Sequence, residues 1–200
     1  VSVTTVNKPP DHTFEARFKK GTIMSDRNSK PAAKTVTEPQ RQTPVSHEAD
    51  VVVCGGGTAG LAAAVCAGRL GLRVVMVERS VAAGGILNVC TGIQDIDNTG
   101  GFVAELVEGL KRRGQWDPAF SWCLKYNRFA IPDYADELLD AAGVRPLYLS
   151  MAAEPLIEDG RIAGVFVESK SGRTAVRAPL AIDASGDGDI AVRAGAAFEM

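Results

Sequence analysis

The chain has 200 residues, 46% of them apolar and 23% charged, the balance of an ordinary soluble globular protein of about one domain. A formal net charge of −2 excludes the basic face that a nucleic-acid binder needs. The apolar runs, such as 51–54 and 61–67, are short and broken by glycine, which excludes a membrane span of about 20 residues.

Composition shifts near residue 48. Residues 1–48 hold 12 apolar side chains, five prolines, and eight Lys or Arg against five Asp or Glu. Such a segment buries too little surface to offset its ordering entropy, so 1–47 reads as a flexible arm, with Met24 a candidate translation start. Lys34–Glu48 reads alternatively as an ordered lead-in along the body. From Ala49 the elements follow in order. Ala49–Cys54 is a continuous apolar run that suits a buried parallel strand. Thr58–Arg69 is an alanine-rich helix stopped by Gly71, and Leu72–Val77 is a second buried strand. Phe102, Val103, Leu106, Val107 and Leu110 repeat at helical spacing up to Gly114. Asp133–Ala142 is a helix capped by Asp133 and stopped by Gly143, and Val144–Ser150 a strand. Three strands then alternate around the hairpin signals Glu158–Arg161 and Lys170–Arg173. A last apolar run, Leu180–Ile182, precedes the acidic turn 183–189 and a final helix.

The motif Gly55-Gly56-Gly57-Thr58-Ala59-Gly60 matches G-x-G-x-x-G after a buried strand and at the start of a helix, within a βαβ unit of about 30 residues. Gly55 permits the tight turn, Gly57 lets a diphosphate approach the backbone, and Gly60 lets helix and sheet pack closely. The free amides and positive end of the helix then hold the anion. Glu78 ends the next strand, 18 residues beyond Gly60, where a carboxylate can accept both ribose hydroxyls and repel a 2′-phosphate. This fingerprint does not separate NAD from FAD.

Two stretches carry a resemblance. "EADVVVCGGGTAGLAAAVCAGRLGLRVVMVERSVAAGG" resembles the N-terminal signature of FAD-dependent oxidoreductases of the glutathione-reductase-like, two-dinucleotide-binding-domain class. "AIDASGDGDIAVRAGAAFE" is similar to a second signature of one bacterial group of FAD-dependent oxidoreductases, with Ser185 where that group has Thr; "TEPQRQTPVSHEADVVVCGGG" resembles its lead-in. The resemblance implies a Rossmann-like α/β domain over 48–200 with an inserted three-stranded antiparallel meander, a partial cap or substrate segment at about 86–132, and FAD as cofactor. It places Gly55, Gly56, Gly57, Thr58, Ala59 and Gly60 around the diphosphate and Glu78 on the adenosine ribose. Arg79 flanks the adenine or is a solvated surface charge. Gly84 and Gly85 match paired glycines that run close to the cofactor, Ala153 marks the backbone that meets the adenine, and Asp183, Ser185, Gly186 and Asp187 bring the returning chain back to it. Related chains continue well beyond the second signature, so the resemblance also implies an N-terminal portion that binds FAD weakly or aggregates alone.

The four cysteines, Cys54, Cys66, Cys90 and Cys123, form no C-x-x-C pair. Cys54 and Cys66 read as packing residues, and Cys90 lacks the neighbouring thiol of a disulfide reductase. His12 and His47 both precede the apolar body, so no metal site is expected. Trp116, Phe120, Trp122 and Tyr126 form either a substrate cap or the core of a small subdomain. The leading expectation is a cytoplasmic enzyme moving a hydride between an organic substrate and FAD, with no nucleic-acid or membrane partner. The alternatives are an electron-transfer flavoprotein subunit serving a redox partner and an NAD-binding Rossmann domain. No general base at a diagnostic spacing identifies the substrate.

Overall fold

Two apolar strands side by side, each buried on both faces, organise the molecule. A computed structural model describes residues 34–90, 92–93, 100–117 and 124–197. His12, Phe120, Trp122 and Cys123 lie outside them. Residues 34–40 are exposed and carry no regular secondary structure.

In chain order the elements are β1 (Val45–Glu48), β2 (Val51–Cys54), α1 (Thr58–Arg69), β3 (Val74–Val77), β4 (Gly92–Ile93), α2 (Gly101–Arg112), β5 (Trp116–Asp117) and β6 (Leu124–Tyr126). Then follow α3 (Ile131–Ala141), β7 (Arg145–Leu147), β8 (Ser150–Glu158), β9 (Arg161–Ser169), β10 (Gly172–Arg177), β11 (Leu180–Asp183) and α4 (Asp189–Arg193). A parallel sheet of order β11-β2-β3-β7 forms the centre. A second sheet of order β1-β10-β9-β8 is the antiparallel meander, extended at one edge by β1, which pairs parallel to β10. Val45–Glu48 thus form a sheet strand within the stretch that reads as either arm or lead-in. A small antiparallel sheet of order β4-β6-β5 completes the set.

Alternation along β2 and β3 divides the core into two layers. Val51, Val53, Val74 and Met76 pack with Leu61, Ala64 and Val65 of α1, with α2 and with Leu138 and Leu139 of α3. Val52, Cys54, Val75 and Val77 face the other way, onto Val165, Val167 and Val176 of the meander and Ile190 of α4. A sheet covered on both faces needs unbroken apolar strands, which is why these two segments lack the polar alternation of a half-exposed sheet. Within α1, Cys66 turns outward and is exposed, so only Cys54 is the packing residue expected of both. Burial, and then the nearby charge of Asp183, push the Cys54 thiol up to about 12, which keeps it protonated.

Helices α1 to α4 close in the same way. In α1, Gly71 N donates to Gly68 O and Leu72 N to Ala67 O; the equivalent pairs follow at Gly114, Gly143 and Gly195. Each glycine has positive φ, the left-handed cap that glycine adopts without a side-chain clash. The start of α3 differs from expectation. Helical geometry begins at Ile131, with Ala130 as cap and Asp133 inside the first turn. Pro132 is the reason: its fixed φ and missing N–H suit the first turn, so the helix starts just ahead of it. The expected strand 144–150 is also divided. Arg145–Leu147 pairs with β3, the chain bends at Leu149 (φ 51°), and Ser150 opens the meander. Leu149 N donates to Ser80 O and Ser150 N to Glu78 O, which fixes the bend to the end of β3.

Asp183 locks the return turn. Its Oδ1 accepts from Ser185 N (3.0 Å) and Ser185 Oγ (2.7 Å), and its Oδ2 from Ala191 N (2.7 Å). Burial opposes ionisation, but these hydrogen bonds outweigh it and hold the carboxyl below its ordinary range.

Urea denaturation checks these placements. Leu61, fully buried, should cost about 2–5 kcal/mol when changed to Ala, whereas Cys66→Ser should change stability by less than about 0.5 kcal/mol; a large loss for the serine variant contradicts the outward placement. A depressed carboxylate contributes stability that is complete above its unfolded pKa of about 3.9 and disappears as pH falls through the lower folded value. Asp183→Asn should therefore be less stable than the parent at neutral pH, with the gap narrowing below about pH 4. A gap that stays constant into strong acid contradicts the assignment.

Candidate functional site

The site begins where β2 must turn into α1 with no room for side chains. Gly55 has φ 102°, and a Cβ there would lie 2.3 Å from Ala184 O. A Cβ on Gly60 would lie 1.8 Å from Gly55 O. Glycine at both positions therefore lets the helix start, the β2 turn and the β11 return pack backbone to backbone. Gly57 differs: its φ is ordinary and a Cβ there would meet nothing within 4 Å. It is the N-cap of α1, and no side chain caps the helix. Thr58 Oγ1, in the first turn, is buried without a hydrogen-bond partner. Uncapped amides, an unpartnered hydroxyl and open space in front of Gly57 are together the arrangement that receives an anion at a helix start.

Glu78 stands at the end of the neighbouring strand, 5% exposed. Its Oε2 accepts from Gly56 N (2.5 Å) and its Oε1 from Ser80 N (2.6 Å). A buried carboxylate needs such partners. Each oxygen keeps a further lone pair, so the two amides orient the group and leave it able to accept from a diol. On the other side of the turn, Gly84 N donates to Gly56 O, and a Cβ on Gly85 (φ 53°) would lie 2.8 Å from Gly57 Cα. The paired glycines thus press the following segment against the helix start.

A cleft of about 450 Å³ opens over this turn. Of the expected residues, Gly55, Gly57, Glu78, Arg79, Gly85, Ser185 and Gly186 line it. Gly56, Gly60 and Gly84 lie buried, supporting the turn. Thr58 and Ala59 continue the helix without lining the cleft. Three further expected residues lie outside the lining. Asp183 spends its carboxylate on the return turn, and Asp187 is exposed outside the lining. Ala153 is also outside the lining, its carbonyl accepting from Arg193; the meander strand reaches the cleft one turn of pleat earlier, through Ser150, Met151 and Ala152. Position along the strand indicated the junction but not which residues of the pleat face inward.

Sequence reasoning missed Ser80, Asp189 and Arg193, whose roles depend on where the meander and α4 return. Ile86 and Val89 lie in the stretch after the paired glycines that reads as part of a cap; they line the cleft as exposed apolar side chains. Cys90 does not line it. Trp116 packs partly buried against the core with Tyr126, whose hydroxyl donates to Leu87 O, and burial pushes that phenol up to about 12. These two aromatics therefore belong to packing. Among the described residues no cluster of His, Cys, Asp and Glu could hold a metal ion, and no helix is long and apolar enough to cross a membrane.

Comparison with known structures finds the same fold in several proteins. A geranylgeranyl bacteriochlorophyll reductase-like protein from Thermoplasma acidophilum is similar at a TM-score of 0.59 and 21% identity, over 74% of this chain and 42% of that one. THI4 from Thermovibrio ammonificans gives 0.56 and 18%, over 73% and 61%. The p-nitrophenol 4-monooxygenase of Pseudomonas putida gives 0.55 and 17%, over 76% and 45%. The chain thus spans between about two-fifths and three-fifths of these structures. No curated sequence matches it. Residues 50–200 match the family described as FAD dependent oxidoreductase, which covers the turn, Glu78, the meander and the return; the chain belongs to that family, and its cofactor is FAD.

Proposed function

We propose that the chain is the FAD-holding portion of an oxidoreductase of the glutathione-reductase-like class, working on a small organic substrate together with further residues of the same protein. The observation that carries this reading is the uncapped start of α1 behind the open face of Gly57, with Glu78 one strand away. Bound FAD supplies a ring that accepts or donates a hydride or single electrons. The chain's own residues bind and orient. Amides at the start of α1 face the diphosphate, and the helix dipole balances its charge. Glu78, held by Gly56 N and Ser80 N, accepts from the adenosine ribose and disfavours a 2′-phosphate. Ser150–Ala152 lie at the adenosine end, because Ser150 N donates to Glu78 O. Ile86 and Val89, beyond the Gly85 contact, offer an apolar shelf toward the flavin half.

The meander inserted between β7 and β11 supports the assignment to this class over a simple strand-helix repeat.

Two substitutions test the reading by titration of the apoprotein with FAD. Glu78→Ala should weaken binding by about 1–3 kcal/mol through lost charge-assisted hydrogen bonds; an unchanged affinity removes Glu78 from the ribose. Gly57→Ala should leave the unfolding midpoint unchanged, since its Cβ enters open space, yet weaken FAD at least about tenfold by occupying the approach to the amides. Full FAD affinity in that variant would place the diphosphate elsewhere.

A further inference from the structure

The return turn and the meander strand both reach the cleft, and one side chain joins them. Arg193, the last residue of α4, donates from Nη1 to Ala153 O at 3.0 Å. Its Nε lies 3.8 Å from Glu154 Oε1 and its Nη2 3.7 Å from Asp189 Oδ1. The side chain is 43% exposed, so these two loose ion pairs contribute little in water. The directed contact is the one to the carbonyl.

That carbonyl lies in a bulge. The pairing of β8 with β9 passes from Ala152↔Val167 to Glu154↔Phe166 and skips Ala153. A bulge disrupts the ladder locally, so backbone groups at the extra residue need partners from outside it. Arg193 supplies one. The helix it ends has five residues, too few to be stable by its own hydrogen bonds, so its position depends on what it is tied to. Ile190 buries into the apolar layer beneath the central sheet, and Arg193 ties the other end to the bulge. Arg193 itself lines the cleft, as do Asp189 beside it and Met151 and Ala152 just before the bulge.

We infer that Arg193 is a positioning residue for the adenosine half of the cofactor. Ser150 is tied to Glu78 O directly, and by holding the Ala153 bulge to α4 Arg193 sets the course of the Met151–Ala152 backbone beyond it, and so how the adenine is received. The inference rests on the reading that FAD lies in this cleft with its adenosine at Glu78. It assigns Arg193 an effect through the strand backbone, independent of the diphosphate charge.

The test uses the purified apoprotein titrated with FAD, with ADP and with adenosine. Arg193→Ala should raise all three dissociation constants by a similar factor, about tenfold, the effect of one charge-assisted hydrogen bond. Arg193→Lys, whose ammonium can still donate to Ala153 O, should stay within about threefold of the parent. Weaker ADP with unchanged adenosine would make Arg193 a phosphate contact and overturn the inference. Unchanged affinities in the alanine variant, or a lysine variant as weak as alanine, overturn it as well. Should the alanine variant not fold, Arg193→Gln, which keeps the stem but not the reach, replaces it with the same expectations. Glu78→Ala in the same titrations separates the two levels. If adenosine binding ignores Glu78, the underlying reading fails; if it depends on Glu78 but not on Arg193, only this inference fails.

Discussion

The backbone of Gly60 lies so close to Gly55 O that a single methyl group would sit 1.8 Å from it, and one on Gly55 would sit 2.3 Å from Ala184 O. The β2 turn, the start of α1 and the distant β11 return therefore meet at one point, main chain against main chain. The N-terminal end of a helix, with unpaired amides and the positive end of its dipole, is brought to the edge of a parallel sheet. Much of the molecule maintains that approach. The helices on one face and the meander on the other hold β2 and β3 rigid from both sides, so the turn between β2 and α1 has little freedom to relax.

Electrostatics divides the cleft between a cationic and an anionic end. The start of α1 is suited to negative charge, whereas Glu78, one strand over, is suited to hydroxyl donors. The two are coupled through Gly56, whose amide binds Glu78 while its carbonyl accepts from Gly84. A ligand that satisfies both ends must carry an anionic linkage next to a diol, which is the chemistry of a dinucleotide. The Gly85 backbone, pressed against Gly57, adds the direction in which such a ligand continues.

Local chemistry was legible in the sequence, and long-range return was not. Thr58–Arg69, the left-handed stops at Gly71, Gly114 and Gly143 and both hairpin turns follow from residues within a few positions of one another, and the structure has them where the sequence placed them. Glu78 was legible because strand length fixes its distance from the turn. A short acidic residue near glycines, such as Asp183, has the same sequence signature whether it meets a ligand or caps its own turn, and in the structure its carboxylate holds the turn. The local sequence also does not show which way the Ala153 carbonyl or the Cys66 side chain points, because the first depends on a bulge and the second on helix phase. Arg193 left no local signal at all, because its partner lies 40 residues away across the fold.

The order of the central sheet bears on how the protein is made. β11, the neighbour of the first parallel strand, is the last strand of the sheet to be synthesised, and Ser185, Gly186 and Arg193 follow it. A nascent chain that has emerged only through the meander has the glycine turn and Glu78 but leaves one flank of β2 bare. Until β11 is made, an apolar strand edge stands open to chaperones.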